Sequence, residues 1–292
     1  VGVQTPVTSV ASQVKRRAIE GIDVTTLKTG IKDVVTIRGS LGAGDAFNPA
    51  ANSAIADLMA SMLDKGTRQR DKFAVAELLE QTGATLSFST TSHTLNFSAK
   101  CLSKDVSKVV SLLAEQLRGP RFDPEEFAKV KKQLAGRFRR SLEDTDFRAD
   151  SAFNRAVFPE NHPNRPPQGD RYLADIESAT LDDLKAFHAS CYGPLSLRIV
   201  VVGDVEEAAL GEAVAGAFRG WTGGKAYAPA PRAPALGSGK TEKVSMPGKT
   251  SVSVVIGQPS GLQHRDSEHL ACSTGTAAFG SGFFSARLLD II

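Results

Sequence analysis

The stretch from Asn48 to Thr67, NPAANSAIADLMASMLDKGT, constrains the fold more than any other part of the chain. Three signs make it a helix: Asn48 can cap, Pro49 suits the first helical position, and Gly66 closes the end. Ile55, Leu58, Met59 and Met62 recur at steps of three and four, which is one buried stripe. Asp57, Ala60, Ser61 and Asp64 repeat that spacing on a second face. From pattern alone, a small polar face of this kind reads as solvated.

The spacing 57, 60, 61 is also that of H-x-x-E-H. On a helix that motif sets two imidazoles one turn apart to hold Zn²⁺, with a glutamate beside them to deprotonate the bound water. Here the three positions read Asp57, Ala60 and Ser61. One carboxylate is present and both imidazoles are missing.

At 292 residues and 41% hydrophobic content the chain is globular, and it is long for a single ordinary domain. A net charge of +3 is mildly basic and does not imply nucleic acid. Cys101, Cys191 and Cys272 are scattered, which argues against a disulfide framework or a cysteine zinc site. No apolar run reaches the ~18 residues of a membrane span, and no signal peptide opens the chain. Both ends read as cut, with a linker-like start and a finish inside a helical pattern, as in a module of something longer.

In chain order, residues 22–29 and 33–39 read as strands joined by a turn at Gly30. GSLGAG then lies between strand and helix, but its G-x-x-G-x-G order is an ordinary loop rather than a dinucleotide fingerprint. Residues 70–82 form a helix stopped by Gly83. ATLSFSTTSHTLNFSAKCL reads as a β-hairpin with His93 as a solvated turn residue. Ser103 caps a helix through Leu117. Asp123 caps another, with the stripe Phe127, Val130, Leu134 and Phe138. Its other side, Lys129, Lys132, Arg137, Arg139 and Arg140, is a solvated or cavity-lining face, since no aromatics interleave for stacking on nucleic acid. A helical segment near Asp150–Val157 precedes the loop NHPNRPPQGD, and a capping pattern from Ser178 to Asp183 starts a helix ending near Cys191. SLRIVVVGDV is a buried strand and Glu206–Phe218 the helix after it. A Gly-, Pro- and Ala-rich linker follows, then strands at 243–246 and 251–257 and a helix from Ser267 to about Phe279.

Other candidate motifs carry little. His264 and His269 are five apart, where a helix needs four to put two ligands on one face. Gly239-Lys240-Thr241 lacks the first glycine of a phosphate loop. His162 and His188 read as structural, and no serine or cysteine nucleophile has its local context.

Several phrases in order resemble one family, the pitrilysin/insulinase-type zinc metallopeptidases, including the processing peptidases. HPNRPPQGDRYLADIESATLDDLKAFHASCYGPLSLRIVVVGDV (162–205) is the most specific; MLDKGT, GATLSFSTT and FGSGFFSARL are similar to further family phrases. The resemblance implies an α+β fold of two homologous domains, each a mainly antiparallel sheet with helices packed on one face. Residues 1–20 would be a linker or extended segment, 21–219 the first domain, 220–240 a linker and 241–292 the start of a truncated second domain. Anchored on Lys65-Gly66-Thr67, the family's metal positions fall on Asp57, Ala60, Ser61 and Phe138, so the metal site does not carry over.

The chain therefore resembles the zinc-less, inactive module of such a peptidase. No cofactor is expected here; zinc is expected in a partner module, separate or fused. The implied role is non-catalytic: lining a chamber for unfolded peptide and completing the partner's H-x-x-E-H site. In many bacterial pairs an Arg and a Tyr do this, and they would lie just past Ile292. Leu86, Ser87, Phe88, Ser89 and Thr90 are the candidate substrate-binding strand, since an extended peptide can add to a sheet edge. The alternative is a structural or assembly subunit with no role in proteolysis. The family suggests a bacterial periplasmic or cell-envelope location.

Overall fold

The computed structural model describes residues 10–160, 162–227, 231–233 and 239–281. They fall into two compact units, Val1–Leu142 with Pro167–Pro229 and Glu143–Pro166 with Ala230–Ile292.

The first unit is built on a six-stranded sheet. After a single-turn helix α1 (Val10–Gln13) come β1 (Lys15–Ile19), β2 (Ile22–Lys28) and β3 (Val34–Leu41). β4 (Thr85–Thr90) and β5 (Leu95–Leu102) form the expected hairpin, and β6 (Arg198–Gly203) is the buried strand read from SLRIVVVGDV. The order is β1-β2-β6-β3-β5-β4. All neighbours run antiparallel except β2 and β6. β1 lies in the stretch read as linker or extended segment. It pairs with β2 across a turn at Glu20 and Gly21, both at positive φ (50° and 78°), a geometry that suits the twist of a tight hairpin.

Alternation decides which face is covered. Ile22 and Val24, Val35 and Ile37, Leu95, Phe97 and Ala99, and Ile199 and Val201 are all buried, while their neighbours in sequence are more exposed. The helices supply the other half of the core: α2 (Ile55–Met62), α3 (Lys72–Thr82), α4 (Val106–Arg118), α5 (Pro124–Leu142), α7 (Gly169–Ser178), α8 (Leu181–Cys191) and α9 (Glu207–Phe218). α2 packs on α5, α8 and β4, α4 packs on α9, and α5 packs on α7. Leu58, Met59 and Met62 of α2 are at most 1% exposed, each worth about 1.5–3 kcal/mol of burial.

Local signals placed several of these ends correctly. Asp71 caps α3 by accepting from the Ala74 amide, and Gly83 ends that helix in the left-handed conformation. Asp123 accepts from the Glu125 and Glu126 amides, and Thr180 and Asp183 form a reciprocal capping box.

Other expectations are corrected. The helix expected over 48–67 is confined to Ile55–Met62, because the side chains before it compete for the backbone. Asn48 reaches forward to accept from the Ala56 amide and donate to the Ser53 carbonyl, and Asn52 accepts from the Ala54 amide. Ser103 begins a 3-10 turn, and α4 starts only at Val106; the Ser103 hydroxyl has no partner among the described residues. α7 is a helix the sequence reading left unassigned.

In the second unit, α6 (Thr145–Val157) begins five residues earlier than Asp150, capped by Asp144. α10 (His269–Thr276) starts later than Ser267 and runs into a π-type turn at Ala277–Ser281. The remainder of the phrase FGSGFFSARL lies outside the described residues. The strands expected at 243–246 and 251–257 do not form: Val252, Val254 and Ile256 are 87%, 74% and 92% exposed. A strand needs a neighbour to take its hydrogen bonds. In the first unit, consecutive β2 and β3 do not pair with each other but are bridged by β6. The stretches at 243–246 and 251–257 have no such bridging strand among the described residues.

Candidate functional site

Two consecutive turns of α2 carry Asp57, Ala60 and Ser61, the positions that share the H-x-x-E-H spacing. They are not a solvated face. Ala60 is 6% exposed, and Asp57 and Ser61 are half-buried. Both carboxylate oxygens of Asp57 are engaged: Oδ1 accepts from the hydroxyl of Thr90 on β4, and Oδ2 from the phenol of Tyr172 on α7. Phe138, on α5, leans on the Tyr172 ring with centroids 4.6 Å apart and planes at 53°. Four elements thus meet where the spacing would call for a metal.

Electrostatics fixes the direction of the Tyr172 bond. Burial first, then the Asp57 charge, holds the Tyr172 hydroxyl far above the usual phenol range, and Arg137 on α5 pulls weakly the other way. Tyr172 is therefore the neutral donor and Asp57 the charged acceptor. Asp45 stands near this carboxylate in a 3-10 turn, Asp45–Phe47. It is exposed at the surface, yet neighbouring protein partly desolvates its carboxyl. That, and the Asp57 charge, lift its carboxyl to about 7.

α7 is held in place by a second set of polar contacts. Asp175 accepts from the Ser53 amide (2.8 Å) and hydroxyl (2.6 Å) and from Arg171 Nε (2.8 Å). Burial alone would raise the Asp175 carboxyl, but these donors hold it below its ordinary value. Asn52 donates to the Asp175 carbonyl (2.7 Å), and Lys131 of α5 donates to the carbonyls of Glu177 and Ala179 at the end of α7. The loop before α2 and the helix α5 are thereby fixed to the element that supplies Tyr172.

The glycine loop between β3 and α2 packs rather than cradling phosphate. The Asp45 and Ala46 amides donate to the Thr91 and Ser92 carbonyls of the hairpin turn (3.1 and 2.7 Å). A Cβ on Gly44 would fall 2.3 Å from the Thr91 oxygen, so only glycine permits this approach. His93 lies half-buried in that turn.

β4 is an edge strand: β5 pairs on one side, and among the described residues nothing pairs on the other. Leu86, Phe88 and Thr90 are half-buried, alternating with exposed Thr85, Ser87 and Ser89. Thr90 ties this edge to Asp57, so the candidate substrate strand and the altered metal positions adjoin.

The metal does not fit these residues. Zinc needs three or four converging N, O or S donors. The four positions offer one carboxylate already holding two hydroxyls, a methyl, a hydroxyl and a phenyl ring. Among the described residues no three His, Cys, Asp or Glu side chains converge elsewhere. His188 has its Nε2 2.8 Å from the Leu117 carbonyl and its ring on Tyr192, and burial lowers its pKa. His162 stacks on Phe158, accepts from the Asn164 amide through Nδ1, and has Nε2 3.1 Å from the Pro231 carbonyl. His264 and His269 stack on each other.

The sequence reading missed Tyr172, the residue that completes the cluster. The available signal was Tyr172, Leu173 and Ile176 at helical spacing after the proline-rich loop.

Two family profiles match the chain: insulinase (peptidase family M16) over residues 24–156, and the M16 inactive domain over 178–292. The chain is 25% identical over 163 residues to the non-peptidase homolog YmxG of Helicobacter pylori, covering 56% of this chain and 37% of that protein. It is 24% identical over 198 residues to the mitochondrial-processing peptidase subunit beta of Blastocladiella emersonii, covering 66% and 41%. The chain thus spans less than half the length of either relative. Among solved structures, an M16 inactive domain from Pseudomonas fluorescens superposes with a TM-score of 0.79 at 23% identity, over 94% of this chain and 66% of that one. No helix among the described residues is long and apolar enough to cross a membrane.

Proposed function

We propose, given that this chain belongs to the insulinase family of peptidases (M16), that it is a non-catalytic partner module in zinc-dependent peptide hydrolysis. It lines a chamber for unfolded peptide and completes the active site of a module bearing H-x-x-E-H, which holds the zinc. That module is a separate subunit or the other half of a fused chain.

One observation carries this reading. The metal positions are refilled by Asp57, Ala60, Ser61 and Phe138, with Asp57 saturated by Thr90 and Tyr172, while the adjoining edge strand β4 is kept open. Loss of the metal groups with retention of a peptide-pairing edge suits a protein that holds substrate and leaves the chemistry to a partner. Leu86–Thr90 would pair with the substrate backbone. Thr90, tied to Asp57, would keep that edge in position.

The test is to mix the chain with an H-x-x-E-H module of the same source organism and follow cleavage of an unfolded peptide. Hydrolysis should need both components. Cleavage by this chain alone would overturn the reading. A mixture no faster than the partner alone would favour the structural-subunit reading, which the description of the Helicobacter pylori relative as a non-peptidase homolog also suits.

A further inference from the structure

We propose that the second unit contains a binding groove for a small multivalent anion, recognised through three arginines and two lysines. The groove has a volume of about 710 Å³. Arg148 and Arg155 of α6, Arg165 of the following loop, and Lys240 and Lys243 line it, with Glu242 as its single acid. Ala152, Val157, Phe158 and Val244 give it an apolar wall that suits an organic body between anionic groups.

Cations without carboxylate partners distinguish this groove. Elsewhere several arginines find carboxylates: Arg70 pairs with Glu115, Arg171 with Asp175 in its own helix, and Arg232 takes Asp266 with two nitrogens, while Arg118 is held by the Ala217 and Arg219 carbonyls. Among the described residues, none of the five groove cations lies within 4 Å of a carboxylate oxygen. Yet Arg148, Arg155 and Arg165 are all half-buried. Like charges partly withdrawn from water and crowded into one concavity repel each other, and a multivalent anion relieves that repulsion.

The groove is also arranged in advance. Arg148, Ala152 and Arg155 follow one helix face at steps of four and three, with a rise of roughly 10 Å between the two arginines. The small Ala152 leaves the space between them open. Arg165 donates to the carbonyls of Arg155 and Phe158, which fixes its guanidinium at the wall. Planar, held guanidinium groups suit phosphate or carboxylate oxygens better than mobile ammonium groups do. This proposal is independent of the peptide-pairing reading, because it uses no residue of β4 or of the Asp57 cluster.

The test is calorimetric titration of the 292-residue chain with inorganic pyrophosphate, with citrate and with chloride as a monovalent control. Saturable one-to-one binding of pyrophosphate or citrate is expected, weakening as salt rises. The double variant Arg148→Gln/Arg155→Gln should lose at least about tenfold in affinity, as expected for charge-assisted contacts. Lys132→Gln/Arg140→Gln on α5 should change nothing. If the arginine variant fails to fold, Lys240→Gln/Lys243→Gln, at exposed positions, carries the same comparison. Binding of pyrophosphate alone assigns phosphate groups, and binding of citrate alone assigns carboxylates; either supports the groove. No saturation by either probe, equal binding of chloride, or a loss confined to the α5 variant would overturn it.

Discussion

Tyr172 on α7 donates a hydrogen bond to Asp57 on α2 across 115 positions of sequence. The same carboxylate takes the Thr90 hydroxyl from the edge strand β4, and Phe138 of α5 packs on the Tyr172 ring. One charged group therefore fastens a strand and two helices at the spot where H-x-x-E-H spacing would place a metal. Two hydroxyls and an aromatic ring fill that spot.

Tyr172→Phe removes the donor and leaves part of Asp57 short of a partner. The expected loss of stability is about 1–2 kcal/mol, because the bond goes to a charged acceptor in a largely buried setting. Phe138→Ala, which opens space beside the same ring, should cost about 2–3 kcal/mol, short of the full core value because Phe138 is half-buried. Urea unfolding midpoints measure both. An unchanged midpoint for Tyr172→Phe would show that the bond contributes nothing net.

Grafting Asp57→His, Ala60→Glu and Ser61→His should not by itself create a tight zinc site. Ala60 is buried, so a glutamate there has to displace neighbours, and Phe138, which the resemblance aligns with the third ligand, offers a phenyl ring packed on Tyr172 instead of a carboxylate. Adding Phe138→Glu and Tyr172→Ala should be required before zinc binds stoichiometrically. Metal content after gel filtration decides it; stoichiometric zinc in the triple variant would contradict this account.

What was legible in the sequence was local. Asp123 and the Thr180–Asp183 box announced their helices because each cap acts within three residues. α7 was not announced: Gln168 gives no side-chain cap, and the helix is only ten residues long. The strands of the first unit were legible from alternation, but not the insertion of β6 between β2 and β3, which depends on a pairing partner some 160 residues away. The same dependence explains why apolar alternation at 251–257 did not yield a strand. At the site, spacing singled out Asp57, Ala60 and Ser61, and the family resemblance pointed to Phe138. What Asp57 does required Tyr172 and Thr90, which no local pattern connects to it.

Asp45 gives the fold a pH dependence opposite to that of an ion-paired carboxylate. Its folded value of about 7 exceeds its ordinary 3.8, so between these values the folded state binds more protons than the unfolded one. Stability from this group is therefore greatest in acid, falls as pH rises from about 4 to about 7, and is level above that. One proton gives a slope of at most ~1.4 kcal/mol per pH unit, and solvent screening at this exposed carboxyl narrows the window over which it acts. Asp45→Asn should remove this component, seen as a flatter plot of unfolding free energy against pH. An identical plot for the variant would rule it out.

Peptide pairing on β4 makes a prediction local to that strand. Adding excess unfolded peptide should slow amide exchange in Leu86–Thr90 at alternate residues, because one set of amides already faces β5 and the other faces the open edge. Protection elsewhere, with none in β4, would place the peptide on another surface.

Gly44→Ala tests whether the glycine loop holds the hairpin to the helix that follows. The added Cβ would meet the Thr91 oxygen at 2.3 Å and the Thr94 nitrogen at 2.4 Å, both backbone atoms that cannot swing aside. Either the loop or the hairpin turn must retreat, which breaks the bonds from the Asp45 and Ala46 amides to Thr91 and Ser92. Loss of two backbone hydrogen bonds with local strain should cost about 2–4 kcal/mol. The damage should not stop there, since β4 ends at Thr90, one residue before that turn, and Thr90 carries the contact to Asp57. Amide exchange should therefore quicken in both the hairpin turn and β4, while the far side of the sheet, β1 and β2, keeps its protection. Uniform quickening across the sheet would mean that the loop supports the whole fold rather than this edge.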